Sequence, residues 1–196
     1  TTQEITTLMT GNINDIIENI RACLSCVVKG ANNDTNLSFG DPLQFLLMSK
    51  SKHQKERGSI ADEIVYLLPV IHPDGTQELS FVFDQIYGMK SSDMLVGHIQ
   101  TVYQKYRELK KEFPIARLSL LVTREALQSA GLSADTLMRR LEHAGIKEPA
   151  QAIEEIEVVI PQSAMGDRYL EFGTAGPREV GARKTSGIRI AAEMRP

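Results

Sequence analysis

Cys23-Leu24-Ser25-Cys26 forms a CxxC, a spacing that serves redox chemistry or metal binding. A redox CxxC opens a helix just after a strand, where the first thiolate feels the positive end of the helix. Here both cysteines fall inside a stretch of helical apolar spacing, and Cys23 lies on its apolar stripe, so both read as small core residues. A zinc site would need two further ligands, and His53, His72, His98 and His143 show no paired spacing. Gly176 to Thr185 has the glycines of a phosphate loop at a glance. Lysine does not directly follow Gly181, however, and no strand-to-helix transition is expected there.

Acid-based and nucleophilic chemistry are weighed in the same way. Asp84 ends one expected strand, and Glu154, Glu155 and Glu157 flank another. A metal-dependent nuclease needs clustered carboxylates with a lysine on adjacent strands. No strand places an acid two residues before a lysine, so these acids read as a solvated edge. Ser80, Ser119 and Ser163 lack a nucleophile elbow, and His98 falls beside an apolar helical stripe, where a packed histidine with satisfied nitrogens is expected. No catalytic residue, metal ligand, cofactor or small-molecule substrate is assigned.

Two basic features remain as candidate contacts for nucleic acid or a protein partner. Lys50, Lys52, Lys55 and Arg57 crowd the end of an expected helix, where cations also complement the helix dipole. Arg178, Arg183, Lys184 and Arg189 punctuate the C-terminal stretch. Either group can neutralise phosphates. In the second, Glu171, Glu179 and Glu193 dilute the charge, and Tyr169 and Phe172 make no aromatic ladder for stacking bases.

The elements that would position these residues follow from spacing. Ile13, Ile16, Ile17, Ile20, Leu24, Val27 and Val28 predict a helix over 12–29. Asp41-Pro42 reads as the start of a second helix, with Leu43, Leu46 and Leu47 inward and an end near Gly58. Glu63 to His72, the turn Pro73-Asp74-Gly75-Thr76, and the alternating Leu79, Phe81 and Phe83 predict a hairpin. Pro69 places an edge or a bulge in its first strand. Ser92 or its neighbour caps a long helix that Pro114 stops. A strand over 115–122 follows, then short helices capped by Thr123 and Ser133, the second closed at Gly145. Ile156, Val158 and Ile160 make a last strand before Pro161.

The expected fold is therefore α+β or α/β. It has a small mixed sheet of about four strands with helices packed on it, two N-terminal helices and an extended C-terminal arm. Residues 1–161 read as one globular domain. Residues 162–196 carry five glycines, six Arg or Lys and few large apolar side chains. Such a segment does not offset its own ordering entropy, so it reads as an arm that orders against a neighbour. The 196-residue chain has 42% apolar and 24% charged residues and a net charge of -3, ordinary for a globular protein and no reason to expect nucleic acid or anionic membrane globally. Neither a signal-peptide pattern nor a membrane-length apolar run is evident, and two cysteines make no disulfide framework, which points to the cytoplasm. The functional expectation is a non-catalytic subunit that forms a homo-oligomer or docks on a fixed partner through the arm. The alternatives are a nucleic-acid accessory protein and, third, a small hydrolase or redox protein.

Overall fold

Pro73, Asp74 and Gly75 reverse the chain as their types require: the Gly75 N–H donates to the His72 carbonyl at 2.9 Å, and Asp74 Oδ1 accepts from the Thr76 N–H at 2.9 Å. The computed structural model describes residues 5–10, 44–51, 60–146, 153–165 and 182–191. Its strands are β1 (Ile5–Thr10), β2 (Gln44–Ser51), β3 (Ala61–Ile71), β4 (Gln77–Gly88), β5 (Leu118–Thr123), β6 (Ile153–Ile160) and β7 (Arg183–Ile190). Its helices are α1 (Ser92–Glu112), α2 (Arg124–Ala130), α3 (Ala134–His143) and the single turn α4 (Gln162–Met165).

All seven strands belong to one mixed sheet in the order β1-β2-β3-β4-β5-β7-β6. Only β4 and β5 pair in parallel, as the crossover through α1 demands; the other pairings are antiparallel. β6 also bonds back to β3 through Ile71 and Val159, so β3, β4, β5, β7 and β6 close into a ring, with β2 and β1 extending it at one side. Tyr66, Leu68, Val82, Leu121, Val158 and Ile160 fill the inside of that ring, together with Leu46 and Met48 of β2. A second, larger core lies between the outer face and the helices, where Phe81, Phe83, Leu120 and Ile188 meet Leu95, Ile99, Val102 and Tyr106 of α1.

Side-chain caps set the helix starts. Ser91 Oγ accepts from the Met94 N–H at 3.2 Å, Thr123 caps α2, and Ser133 caps α3. α3 ends as the Gly145 signal requires, with Gly145 at positive φ, the Ile146 N–H on the Leu141 carbonyl, and Ile146 buried. Arg140 of α3 pairs with Asp93 of α1 and ties the two helices together.

The expected four-strand sheet is corrected to seven strands among the described residues. Residues 44–51, read as part of a second helix, form β2. Its Leu46-Leu47-Met48 run feeds both cores at once, Leu47 outward and its neighbours inward, and a strand covered on both faces carries no alternation to separate it from a helix. β1 was too short and threonine-rich to stand out. β7 falls within the stretch read as an arm: Arg183–Ile190 lies inside the sheet, bonded to β5 on one side and β6 on the other. It runs antiparallel between two strands that point the same way. The helix expected over 12–29, with Cys23 and Cys26, lies outside the described residues. Pro69 sits where β2 no longer reaches, beyond Tyr66, and the bulge of β3 falls instead between Glu63 and Val65.

Candidate functional site

β2, β3 and α1 bring three polar side chains together in the outer core. Ser49 and Glu63 project from neighbouring strands toward α1, and His98 projects from α1 toward them. Ser49 Oγ is 2.8 Å from His98 Nε2, and His98 Nδ1 is 2.8 Å from Glu63 Oε1. All three are fully buried. Thr7 of β1, opposite Ser49 in the ladder, adds a fourth member, with its Oγ1 2.9 Å from Ser49 Oγ. Acid, imidazole and hydroxyl in this order form a hydrogen-bonded relay of the kind that activates hydroxyl nucleophiles.

Burial sets the charge of this relay. It raises the Glu63 carboxyl well above 4.5, with the charge of Asp62 adding to the rise. It lowers His98 from 6.5 to about 4, against a smaller opposing effect of Asp62. Both shifts favour the uncharged pair, a protonated Glu63 carboxyl beside a neutral imidazole, over the ion pair. Among the described residues Glu63 Oε2 has no hydrogen-bond partner, which further disfavours a bare carboxylate there.

Both shifts make stability depend on pH. The native state binds the Glu63 proton more tightly than the unfolded chain does, so this contribution falls as pH rises above 4.5. The imidazole works the other way: unfolded His98 takes up a proton below pH 6.5 that the native ring refuses down to about 4, so its contribution falls as pH drops through that range. Urea unfolding across pH separates the two in Glu63→Gln. That variant is expected to lose the fall in stability with rising pH and to keep the loss below pH 6.5, where unfolded His98 takes up a proton.

Thr7 also borders a cleft of about 400 Å³. One wall is the face of α1 formed by Gly97, Gln100, Thr101, Gln104 and Arg107; Ile5 and the turn Ala144-Gly145-Ile146 complete it. Thr7 is thus the member of the relay that borders the cleft.

A second polar centre lies inside the ring. Glu78 of β4 accepts from Arg189 through both oxygens, from Nε at 2.7 Å and from an η nitrogen at 2.9 Å. Its Oε1 also accepts from Ser119 Oγ at 2.9 Å and contacts His72 Nε2 at 2.8 Å. Burial pushes the Glu78 carboxyl up, but the bonds and charge of Arg189, with Ser119 and His72, outweigh it and leave the group below its ordinary value. The bond to Glu78 in turn raises Arg189. Arg189 reaches Glu154 as well, at 3.3 Å.

Four of the basic residues singled out from the sequence fall among the described residues. Arg189 is committed to Glu78 and Glu154, and Arg183 is buried on β7. Lys184 is exposed on the same strand, and Lys50 lies half-buried on β2. Lys52, Lys55, Arg57 and Arg178 lie outside the described residues. Among the described residues no group of His, Cys, Asp and Glu is placed to hold a metal ion. His98 is the packed histidine its position predicts, with both nitrogens engaged. Its partners escaped sequence reading because Ser49 was placed on a helix and Thr7 on no element. Glu63 carried the one usable signal, an acid at the head of the apolar run Ile64–Leu68. No described helix is long and apolar enough to cross a membrane. No known protein family and no curated protein matches this chain.

Proposed function

We propose that this protein is a self-assembling subunit whose interface is the edge of β1 away from β2, joined to the β1 of a second copy. The observation that carries this reading is the unequal treatment of the two ends of the sheet. β6 carries Glu154, Glu155 and Glu157 and is fastened to β3, both of which discourage further strands. β1, Ile-Thr-Thr-Leu-Met-Thr, has no charge, proline or bulge to blunt it. It bonds to β2 on one side, and among the described residues no strand lies on its other. Ile5 and Leu8 are 38% and 43% exposed. Antiparallel pairing of two β1 strands about a two-fold axis is self-complementary and uncharged, and it covers both residues. The cytoplasm is the compartment that suits this reading, since the chain's two cysteines make no disulfide framework.

Light scattering after size-exclusion chromatography tests it. The wild-type chain is expected at twice 21.8 kDa, and Leu8→Lys, which places a charge on the shared edge, at 21.8 kDa with an unchanged far-UV circular dichroism spectrum. A wild-type monomer, or a Leu8→Lys dimer as tight as wild type, would overturn the reading.

A further inference from the structure

The cleft and the buried relay meet at one hydroxyl. Thr7 Oγ1 faces Gly97 across the cleft floor, where a Cβ would stand 3.8 Å away, and the same oxygen is 2.9 Å from Ser49 Oγ. The lack of a side chain at Gly97 leaves room beside Thr7. From there the α1 wall runs through Gln100, Thr101 and Gln104 to Arg107, which is exposed. Ten residues of helix separate Gly97 from Arg107, a span of about 15 Å. The geometry points to Thr7 as the nucleophile of an acyl-transfer site for esters or thioesters of extended acids that carry an anionic end, held at Arg107. The site is complete within one chain and does not rest on the assembly reading.

The steps balance without any cofactor. Thr7 Oγ attacks the acyl carbon; its proton passes to Ser49 Oγ as the Ser49 proton passes to His98 Nε2. His98 keeps its Nδ1 proton on the Glu63 carboxylate, which offsets the imidazolium that forms. The tetrahedral adduct then breaks its bond to the leaving alcohol or thiol, which takes the proton returned along the same chain. Water attacks the acyl-Thr7 ester by the reverse route, releasing the acid and restoring the hydroxyl. Of the relay, only Thr7 touches substrate; Ser49, His98 and Glu63 act through it. The relay accepts a proton when Glu63 is ionised, so turnover is expected to rise with pH, with Asp62 as the neighbouring charge that moves this titration.

A fluorophosphonate probe with peptide mapping, and hydrolysis of mono-p-nitrophenyl sebacate against its uncharged match p-nitrophenyl decanoate, test the inference on the full chain. The expected results are labelling at Thr7, a preference for the sebacate that Arg107→Gln removes, and a loss of at least ~100-fold in Thr7→Val that Thr7→Ser restores. Ser49→Ala is expected to lower the rate and to abolish its rise with pH, which a merely structural role of Ser49 would leave in place. Thr7 lies on an edge strand, so Thr7→Val tests the inference even where Ser49→Ala does not fold. Labelling at Ser49 instead of Thr7, a Thr7→Val variant as active as wild type, or a folded wild-type chain that neither labels nor hydrolyses would overturn it.

Discussion

Gly187→Ala is expected to lose ~3 kcal/mol or more of folding stability, because β7 has no room for a Cβ where it crosses β5. An added Cβ would stand 2.8 Å from the Val122 carbonyl carbon and 2.9 Å from the Thr123 Cα, and closer still to the Val122 oxygen. All three are backbone atoms of β5, so no side chain can turn aside to make space. The strands would have to separate where Gly187 pairs with Thr123 and Ile188 with Val122. That loosens ladder bonds and uncovers Ile188, which is fully buried. Gly75→Ala provides the comparison. Its Cβ meets nothing within 4 Å, and its cost is only that of a left-handed backbone in a turn, about 1 kcal/mol. Urea unfolding of both variants measures the difference. Equal losses in the two would mean that β7 does not lie against β5 in this register.

Arg189→Met is expected to cost about 3 kcal/mol at neutral pH, since it leaves the Glu78 carboxylate buried without its guanidinium partner. In the wild type, the depressed pKa of Glu78 contributes stability that is present above pH 4.5 and lost as pH falls below it. Removing Arg189 leaves burial as the dominant influence and raises the Glu78 pKa. The sign then reverses: the variant holds a proton on Glu78 that the unfolded chain lacks, so its deficit shrinks as pH falls toward 4.5. The second change Glu78→Gln should recover part of the loss at neutral pH, because it removes the unpaired charge. A double-mutant cycle across pH checks both statements. A deficit that is independent of pH would assign the effect of Arg189 to packing along its stem.

The parts of the fold legible in the sequence are those fixed by local chemistry. Pro73-Asp74-Gly75 marks the hairpin, Pro114 ends α1, and Ser133 and Gly145 bracket α3, each through a cap or a backbone preference that acts within a few residues. β2 and β7 are ordered by distant partners. Leu46, Leu47 and Met48 form a strand because cores lie on both of its faces. Arg183–Ile190 is poor in apolar residues, yet Ile188 and Ile190 are buried, and its arginines are accommodated by the ring, Arg189 by acids from β4 and β6. Composition counted those charges as solvated and so gave an arm where there is a central strand. The candidate site was lost for the same reason: with Ser49 assigned to a helix, His98 had no hydroxyl to meet.

The position of β7 also fixes when the ring can close during synthesis. β5 and β6 flank a gap that only residues 183–190 fill, and Glu78 waits 111 residues for Arg189. Until Ile190 has left the ribosome, the ring is open, two unpaired strand edges face outward, and Glu78 lacks the guanidinium of Arg189. Pairings this far apart in sequence form slowly, and open edges invite association with other chains. The nascent protein is thus expected to engage chaperones over a window that closes when β7 emerges, and its ring to turn resistant to protease in a single step once that strand inserts.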